Sequence, residues 1–394
     1  MKSITISVWG SFIVVVLGVV LAFPASAAEF VLGEHGALSG RYAKGGTSMH
    51  EGIAVAVKEF NRRKTGNTAK LITIDDQSDP AKAVAAVEEL LSKGITTFVG
   101  GYGSNIVGPA SELVIRAGGV YVTAGGTSRQ LTERGYNRFF RLTSAEGYSG
   151  PWVSFLKEIK VKKVSILALK REATQLIARD IAERLRKGGI EVVVHDFDAG
   201  LEDFKPILNL VKLRDRSDAV VMSGYETDDL MLMRAAQVVR PDVKVIGGVI
   251  GWAYDEYVEK QGPLFRNTIG NGILPSPPRF DSEEGKRFLE SYRETYNKPP
   301  DFAALWNYDV TMMTLDAMAK AQSAGRLDGE TIAKFLRNDG KPRSALSTII
   351  QFDEKGNNEA FSYRLVQHVE NGLEVVWPRQ DATTSKLTLP ARSW

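Results

Sequence analysis

The stretch that decides the fold runs from Thr97 to Ser128 and reads TFVGGYGSNIVGPASELVIRAGGVYVTAGGTS. It holds two short runs rich in Val, Phe, Tyr and Thr, residues 97–99 and 120–123, each followed at once by glycines. Between them, residues 106–116 carry apolar side chains at helical spacing. Strand, glycine turn, helix, strand and glycine turn is the repeating unit of a parallel sheet covered by helices. In such a sheet the ligand sits off the carboxyl ends of the strands, where loops feed helix N-termini.

The same alternation extends in both directions. Upstream, the pattern predicts a strand at 30–32, a helix at 47–63, a strand at 70–74 and a helix at 80–92. Downstream it restarts, with strands at 163–169, 191–197, 219–223 and 244–247 separated by helices at 175–187, 204–213 and 227–239. Two such blocks predict an α/β protein of two doubly wound lobes facing each other. Beyond a connector marked by Pro275, Pro277 and Pro278, helices are expected at 282–296 and 307–323, and strand-like material at 347–352 and 362–369. Late segments that complete early sheets imply that the chain crosses between lobes more than once. Residues 381–394, rich in Thr, Ser, Arg and Pro, read as a solvated tail.

Composition narrows the function classes. Lys2, an apolar run from Phe12 to Phe23 and then Pro24-Ala25-Ser26-Ala27-Ala28 have the order of a secretory signal peptide, cleaved after Ala27 or Ala28. The chain has no cysteine, which excludes a lipid-attachment cysteine and disulfide stapling. A net charge of +3 on 394 residues argues against a nucleic-acid binder, for which a basic stripe is expected. The four histidines, His35, His50, His195 and His368, have no metal-ligand spacing and read as loop or surface residues. Neither a dinucleotide fingerprint, a phosphate loop nor a nucleophile elbow occurs, so no cofactor, metal or catalytic group is expected. What remains is capture without chemistry.

The two glycine turns supply a site for it. After the strand at 97–99, Gly100-Gly101-Tyr102-Gly103-Ser104 lets the backbone approach a ligand, and Ser104 offers a hydroxyl at the positive end of a helix. After the strand at 120–123, Thr123-Ala124-Gly125-Gly126-Thr127-Ser128 is placed the same way. Each turn alone also fits a purely structural part, glycine for the turn and Ser or Thr for an N-cap. Their pairing on adjacent strands points to a carboxylate cradle.

Around this segment the chain resembles the type I periplasmic binding proteins for branched-chain amino acids. Val99-Gly100 followed by Ser104, then Pro109-Ala110-Ser111, is similar to the family's first binding turn, and Leu131-Thr132-Glu133-Arg134-Gly135-Tyr136 with Phe140-Arg141 to the segment beyond the second. Gly36-Ala37-Leu38-Ser39-Gly40, the turn Asp75 to Pro80, Tyr308-Asp309 and Phe352-Asp353-Glu354-Lys355-Gly356 fit as well. The resemblance implies a clamshell with three crossovers, near Ser144, Ile273 and Gln351. Its lobes would be residues 29–144 with 275–350, and 145–274 with 351–380. It implies a partner class too, an ABC permease in the inner membrane served by a periplasmic monomer, with a sensory module as the alternative.

By the same resemblance, Ser104 and Thr127 would hold a ligand carboxylate, with the backbone at Gly103 and Gly125 on the same surface and Tyr225 facing them from the second lobe. Three positions depart from the family. Val249 stands where a glutamate would take an α-ammonium group, Ala173 where an aromatic is expected, and Ala43 to Gly46 where another is expected. Two ligand chemistries fit these departures. One is a carboxylate without an α-amine, with Tyr102, Tyr225 and Trp252 enlarging an apolar pocket. The other is an amino acid whose ammonium is taken by Glu226, Asp228 or Asp229.

Overall fold

The computed structural model describes residues 27–254, 260–339, 344–345, 350–358 and 360–394. The leader reading at 1–26 and the strand reading at 347–349 lie outside the described residues. The chain opens with β1 (Glu29–Gly36), α1 (Ala43–Arg62), β2 (Thr68–Asp75), α2 (Pro80–Ser92), β3 (Thr97–Val99), α3 (Ser104–Arg116), β4 (Val120–Thr123), α4 (Gln130–Glu133) and β5 (Phe139–Arg141). These strands form one sheet in the order β2-β1-β3-β4-β5, parallel throughout.

A second series follows: α5 (Ala145–Glu158), β6 (Lys163–Leu169), α6 (Glu172–Lys187), β7 (Glu191–Phe197), α7 (Lys205–Leu210), β8 (Ala219–Ser223), α8 (Glu226–Val239), β9 (Val245–Gly248), α9 (Gly262–Phe265) and β10 (Ile269–Gly272). Its strands lie parallel in the order β10-β9-β8-β6-β7. The helices α10 (Glu283–Tyr296), α11 (Phe302–Ser323) and α12 (Gly329–Asn338) then return to α1 and the first sheet. Finally β11 (Arg364–Val369) and β12 (Gly372–Trp377) extend the second sheet antiparallel from β10. The chain thus passes between the sheets three times, after β5, after β10 and before β11.

Short, fully buried strands explain why β3, β4 and β5 read as continuous apolar runs: helices cover both faces of a parallel sheet. Phe98, Tyr121 and Phe139 stack across them, with ring centroids 6.3 and 5.9 Å apart. Helix starts follow side-chain caps. Asp79 accepts the N–H groups of Ala81 and Lys82 ahead of α2, whose first residue is Pro80. Asp301 does the same for Ala303 and Ala304, so α11 begins at Phe302 and not at the expected 307. The helix expected at 204–213 is α7 followed by a π-helical turn, Val211–Asp215.

Two expectations are overturned. Residues 381–394 are not a solvated tail: Ala391 is fully buried and bridges Val245 in parallel, donating its N–H to Lys244 and accepting that of Ile246 at 2.7 and 3.0 Å. The reason is a backbone demand. Strand β10 pairs with β9 only from Gly247 onward, so the opening residues of β9 need another partner, and the chain end supplies it. Nor are the histidines loop or surface residues as a group. His35 lies buried in β1 between Asp76 and Tyr121, at 2.8 and 2.5 Å, and His368 is buried in β11 with Nε2 2.8 Å from the Trp252 carbonyl. His195 belongs to β7, and His50 to α1, where its Nδ1 lies 2.7 Å from Glu34. Each is placed by a polar partner that linear spacing does not reveal.

Candidate ligand-binding cleft

The two glycine turns meet at the carboxyl ends of β3 and β4. Gly103 donates its N–H to the Gly125 carbonyl at 3.0 Å, and Tyr102 and Gly125 form a parallel bridge. Gly103 has a φ of 91°, and a Cβ on Gly125 would stand 2.1 Å from the Gly101 carbonyl oxygen, so both positions demand glycine. The turn thereby places Ser104 at the first position of α3. Its Oγ accepts the N–H groups of Thr127 and Ser128 at 3.1 and 3.0 Å, which leaves its own O–H as the group it can offer a ligand.

These residues line one side of a narrow, largely filled cavity between the turns of the two sheets. Ser104, Thr127, Gly125, Ala124 and Tyr102 come from the first sheet's turns. Tyr148, Tyr225, Tyr254, Tyr363, Ala173 and Ile250 face them from the second series and its returning chain. Met49 of α1 and the first two turns of α11, with Phe302, Ala303, Trp306 and Asn307, complete the wall. Seven of these side chains are aromatic, five of them tyrosines, and Asn307 adds an amide to the hydroxyls of Ser104 and Thr127.

The cleft is shut by contacts across it. Tyr225 packs on Tyr42 and Tyr102 with ring centroids 4.8 and 6.1 Å apart. The Tyr102 hydroxyl donates to Glu226 at 3.2 Å, and Tyr254 also hydrogen-bonds that carboxyl. At the rim Arg41 meets Asp228 at 3.3 Å, and Ser128 donates to Glu172. Burial pushes the Glu226 carboxyl up to about 7, against the opposing phenol and backbone hydrogen bonds. Burial raises Asp228 as well, while its bond from the Tyr225 N–H and the Arg41 charge pull the other way.

Most expected site residues therefore converge: Tyr102, Ser104, Gly125, Thr127 and Tyr225 all line the cavity, and so does Ala173. Gly103 shapes the turn without being part of the wall. The N–H groups of Gly103 and Gly125 are both committed within the turns, to the Gly125 carbonyl and to Thr123 Oγ1. Trp252 is a correction. It is fully buried in the second sheet's core, its Nε1 bonded to Thr268 at 3.0 Å and its ring against Phe265, while Tyr254, two residues on, reaches the cavity. At the turn after β9 the wall residue is Ile250, with Val249 buried behind it, so no acid stands there.

Residues 32–372 match the family model described as periplasmic binding protein. The chain belongs to that family. The leucine-specific-binding protein of Salmonella typhimurium is 24% identical over 352 residues, covering 86% of this chain and 91% of the relative. Among solved structures, a branched-chain amino acid transporter substrate-binding protein from Streptococcus pneumoniae, in complex with isoleucine, superimposes with a TM-score of 0.74 at 21% identity, covering 93% of this chain and all of that one. A solute-binding protein of an ABC transporter from Rhodopseudomonas palustris, in complex with 3,4-dihydroxybenzoic acid, gives 0.73 at 18% identity, covering 90% and 96%. This periplasmic binding protein is accordingly a solute binder and not an enzyme. No helix among its described residues is long and apolar enough to cross a membrane.

Several wall residues of this periplasmic binding protein escaped sequence reasoning: Tyr148, Tyr254, Phe302, Trp306 and Tyr363. Trp306 and Phe302 fall just before the helix start that the apolar pattern suggested, and only the Asp301 cap would have moved that start. Trp252 and Tyr254 lie in the turn after β9, where no strand alternation marks which of the two reaches the cavity.

Proposed function

We propose that this protein is the exported solute-binding component of an ABC importer, and that its solute is a small carboxylic acid with an aromatic or apolar body. The Ser104 hydroxyl at the head of α3, beside Thr127 in a cavity walled by seven aromatic rings, carries the reading. A helix N-terminus with a hydroxyl donor favours an anion, and aromatic walls favour an apolar body. The solute touches both lobes only when the cleft is shut, so binding shifts the population toward the closed form that a permease would engage. We take the lobes as residues 29–144 with 275–350 and 145–274 with 351–394, the chain end now included in the second, and residues 1–28 as a cleaved leader.

An amino acid is the second reading. The printed names of the curated relatives favour it, and Glu226 stands close enough to the wall to meet an ammonium group.

Calorimetry on the mature protein tests the first reading. 3,4-Dihydroxybenzoate and simpler aromatic acids should bind, catechol should not, and Ser104→Ala with Thr127→Val should weaken binding by about 10- to 100-fold, the loss of one or two charge-assisted hydrogen bonds. Equal affinity for catechol and the acid would remove the carboxylate cradle from the account.

A further inference from the structure

Glu226 is the first residue of α8, on the second sheet's side of the cleft, yet the residue is only 8% exposed and its carboxyl is bound by Tyr102 from the first sheet's side. Its environment changes with the position of the lobes, because the Tyr102 bond exists only when they meet. The groups around it are mostly neutral donors. Tyr102 comes from the turn after β3, Tyr254 from the segment after β9, Tyr225 from the cap of α8, Tyr148 from α5 and Tyr42 from the segment before α1. The acids Asp228 and Asp229 share its helix. Of the neighbouring cations, Arg41 is engaged with Asp228, Arg171 from the cap of α6 hydrogen-bonds Tyr42 and acts on Asp228, and Lys44 lies over the Tyr254 ring, 5.8 Å from its centroid.

Glu226 is not part of the cavity wall, but it is bonded to Tyr102, which lines the cavity together with Ser104, so a carboxylate held at Ser104 would lie in the same water-poor region, with Glu226 behind Tyr102. Two carboxylates in such a space cannot both stay ionised at low cost. The positive end of α8 favours the ionised form, but that influence is divided among Glu226, Asp228 and Asp229.

We propose that Glu226 is a proton-binding, specificity-determining residue of the cleft, which enters the closed complex as a neutral carboxyl, so that an anionic solute is captured together with one proton from the medium. The proposal rests on the carboxylic-acid reading above. The neutral carboxyl keeps an O–H to donate, and it accepts the Tyr102 hydroxyl without adding charge. Its burial-raised affinity for a proton in the closed cleft agrees with this. A solute with an ammonium group has the reverse effect, because it stabilises ionised Glu226 and expels the proton.

Titration calorimetry with 3,4-dihydroxybenzoate at pH 8, in two buffers of different ionisation enthalpy, reads the proton directly. Uptake close to one proton is expected, with affinity falling about tenfold for each pH unit above 7. Glu226→Gln should remove both the uptake and the pH dependence. Zero uptake, proton release, or an uptake equal in Glu226→Gln overturns the proposal. If neither this acid nor benzoate gives any heat, the carboxylic-acid reading fails, and Glu226 is then decided without ligand by NMR of the protein carrying carbon-13 in its glutamate carboxyls. A resonance that is absent from Glu226→Gln and titrates well above the ordinary carboxylate range upholds the proton site, and one that titrates in the ordinary range overturns it.

Discussion

Asp229 lies fully buried on the first turn of α8, and neither of its carboxyl oxygens has a hydrogen-bond partner among the described residues. Burial first, then the charges of Asp228 and Glu226, push its carboxyl well above the usual range. A carboxyl raised in the folded state is most favourable at low pH, and its contribution is lost as pH rises from the unfolded value near 4 toward the folded one. Asp229→Asn should therefore gain on the parent by up to about 1.4 kcal/mol per pH unit across that window, measured by urea unfolding at pH 4.5, 6 and 7.5. A constant difference would mean that Asp229 does not titrate there. His368 behaves in the opposite sense. Burial holds its imidazole down at about 4, so its contribution is present above the unfolded value of 6.5 and lost as pH falls through that window. Between pH 7 and 5 the parent should lose about 2 kcal/mol that His368→Gln does not.

At the scale of elements, the chain end makes the sharper forecast. Ala391 completes the pairing of β9, and Thr388 exchanges bonds with the side chain of Gln367 in β11. Deleting residues 386–394 should cost roughly 2–4 kcal/mol, the net worth of a few buried hydrogen bonds, seen as a lower urea midpoint with the cleft residues untouched. Unchanged stability would return this segment to the status its composition suggested. Composition misled here because the residues are polar while their backbone is what binds. The strand-turn-helix units at 97–128 were legible for the opposite reason: β-rich runs, glycines and helical spacing all agree locally, and the strand ends then fix where Ser104 and Thr127 must meet. Helix starts set by a cap, as at Asp301, and the choice between Trp252 and Tyr254 depend on long-range packing, which no window of sequence contains.

For the whole molecule, the relevant quantity is the balance between open and closed cleft. Phenol-to-carboxyl and arginine-to-aspartate contacts span it, and contacts of the partly exposed Arg41 kind are individually worth about 1 kcal/mol or less. Arg41→Ala should leave the fold intact and weaken solute binding by at most about fivefold, with a larger radius of gyration in X-ray scattering of the ligand-free form. A variant with the parent's radius and a 100-fold affinity loss would instead put Arg41 in contact with the solute. Three passages between the sheets limit the motion to a swing, because each lobe is built from more than one stretch of chain and neither can drift away.

The last residues carry one more implication. Strand β1 starts at Glu29 in the first sheet, whereas Trp394 is held on the second series, its Nε1 3.3 Å from the Pro241 carbonyl. The two ends of the folded chain are thus fastened to opposite jaws. A pair of fluorophores, one ahead of Glu29 and one after Trp394, would ride on different rigid bodies and report closure as energy transfer, making the protein an optical sensor for its own cargo without a label inside the cleft.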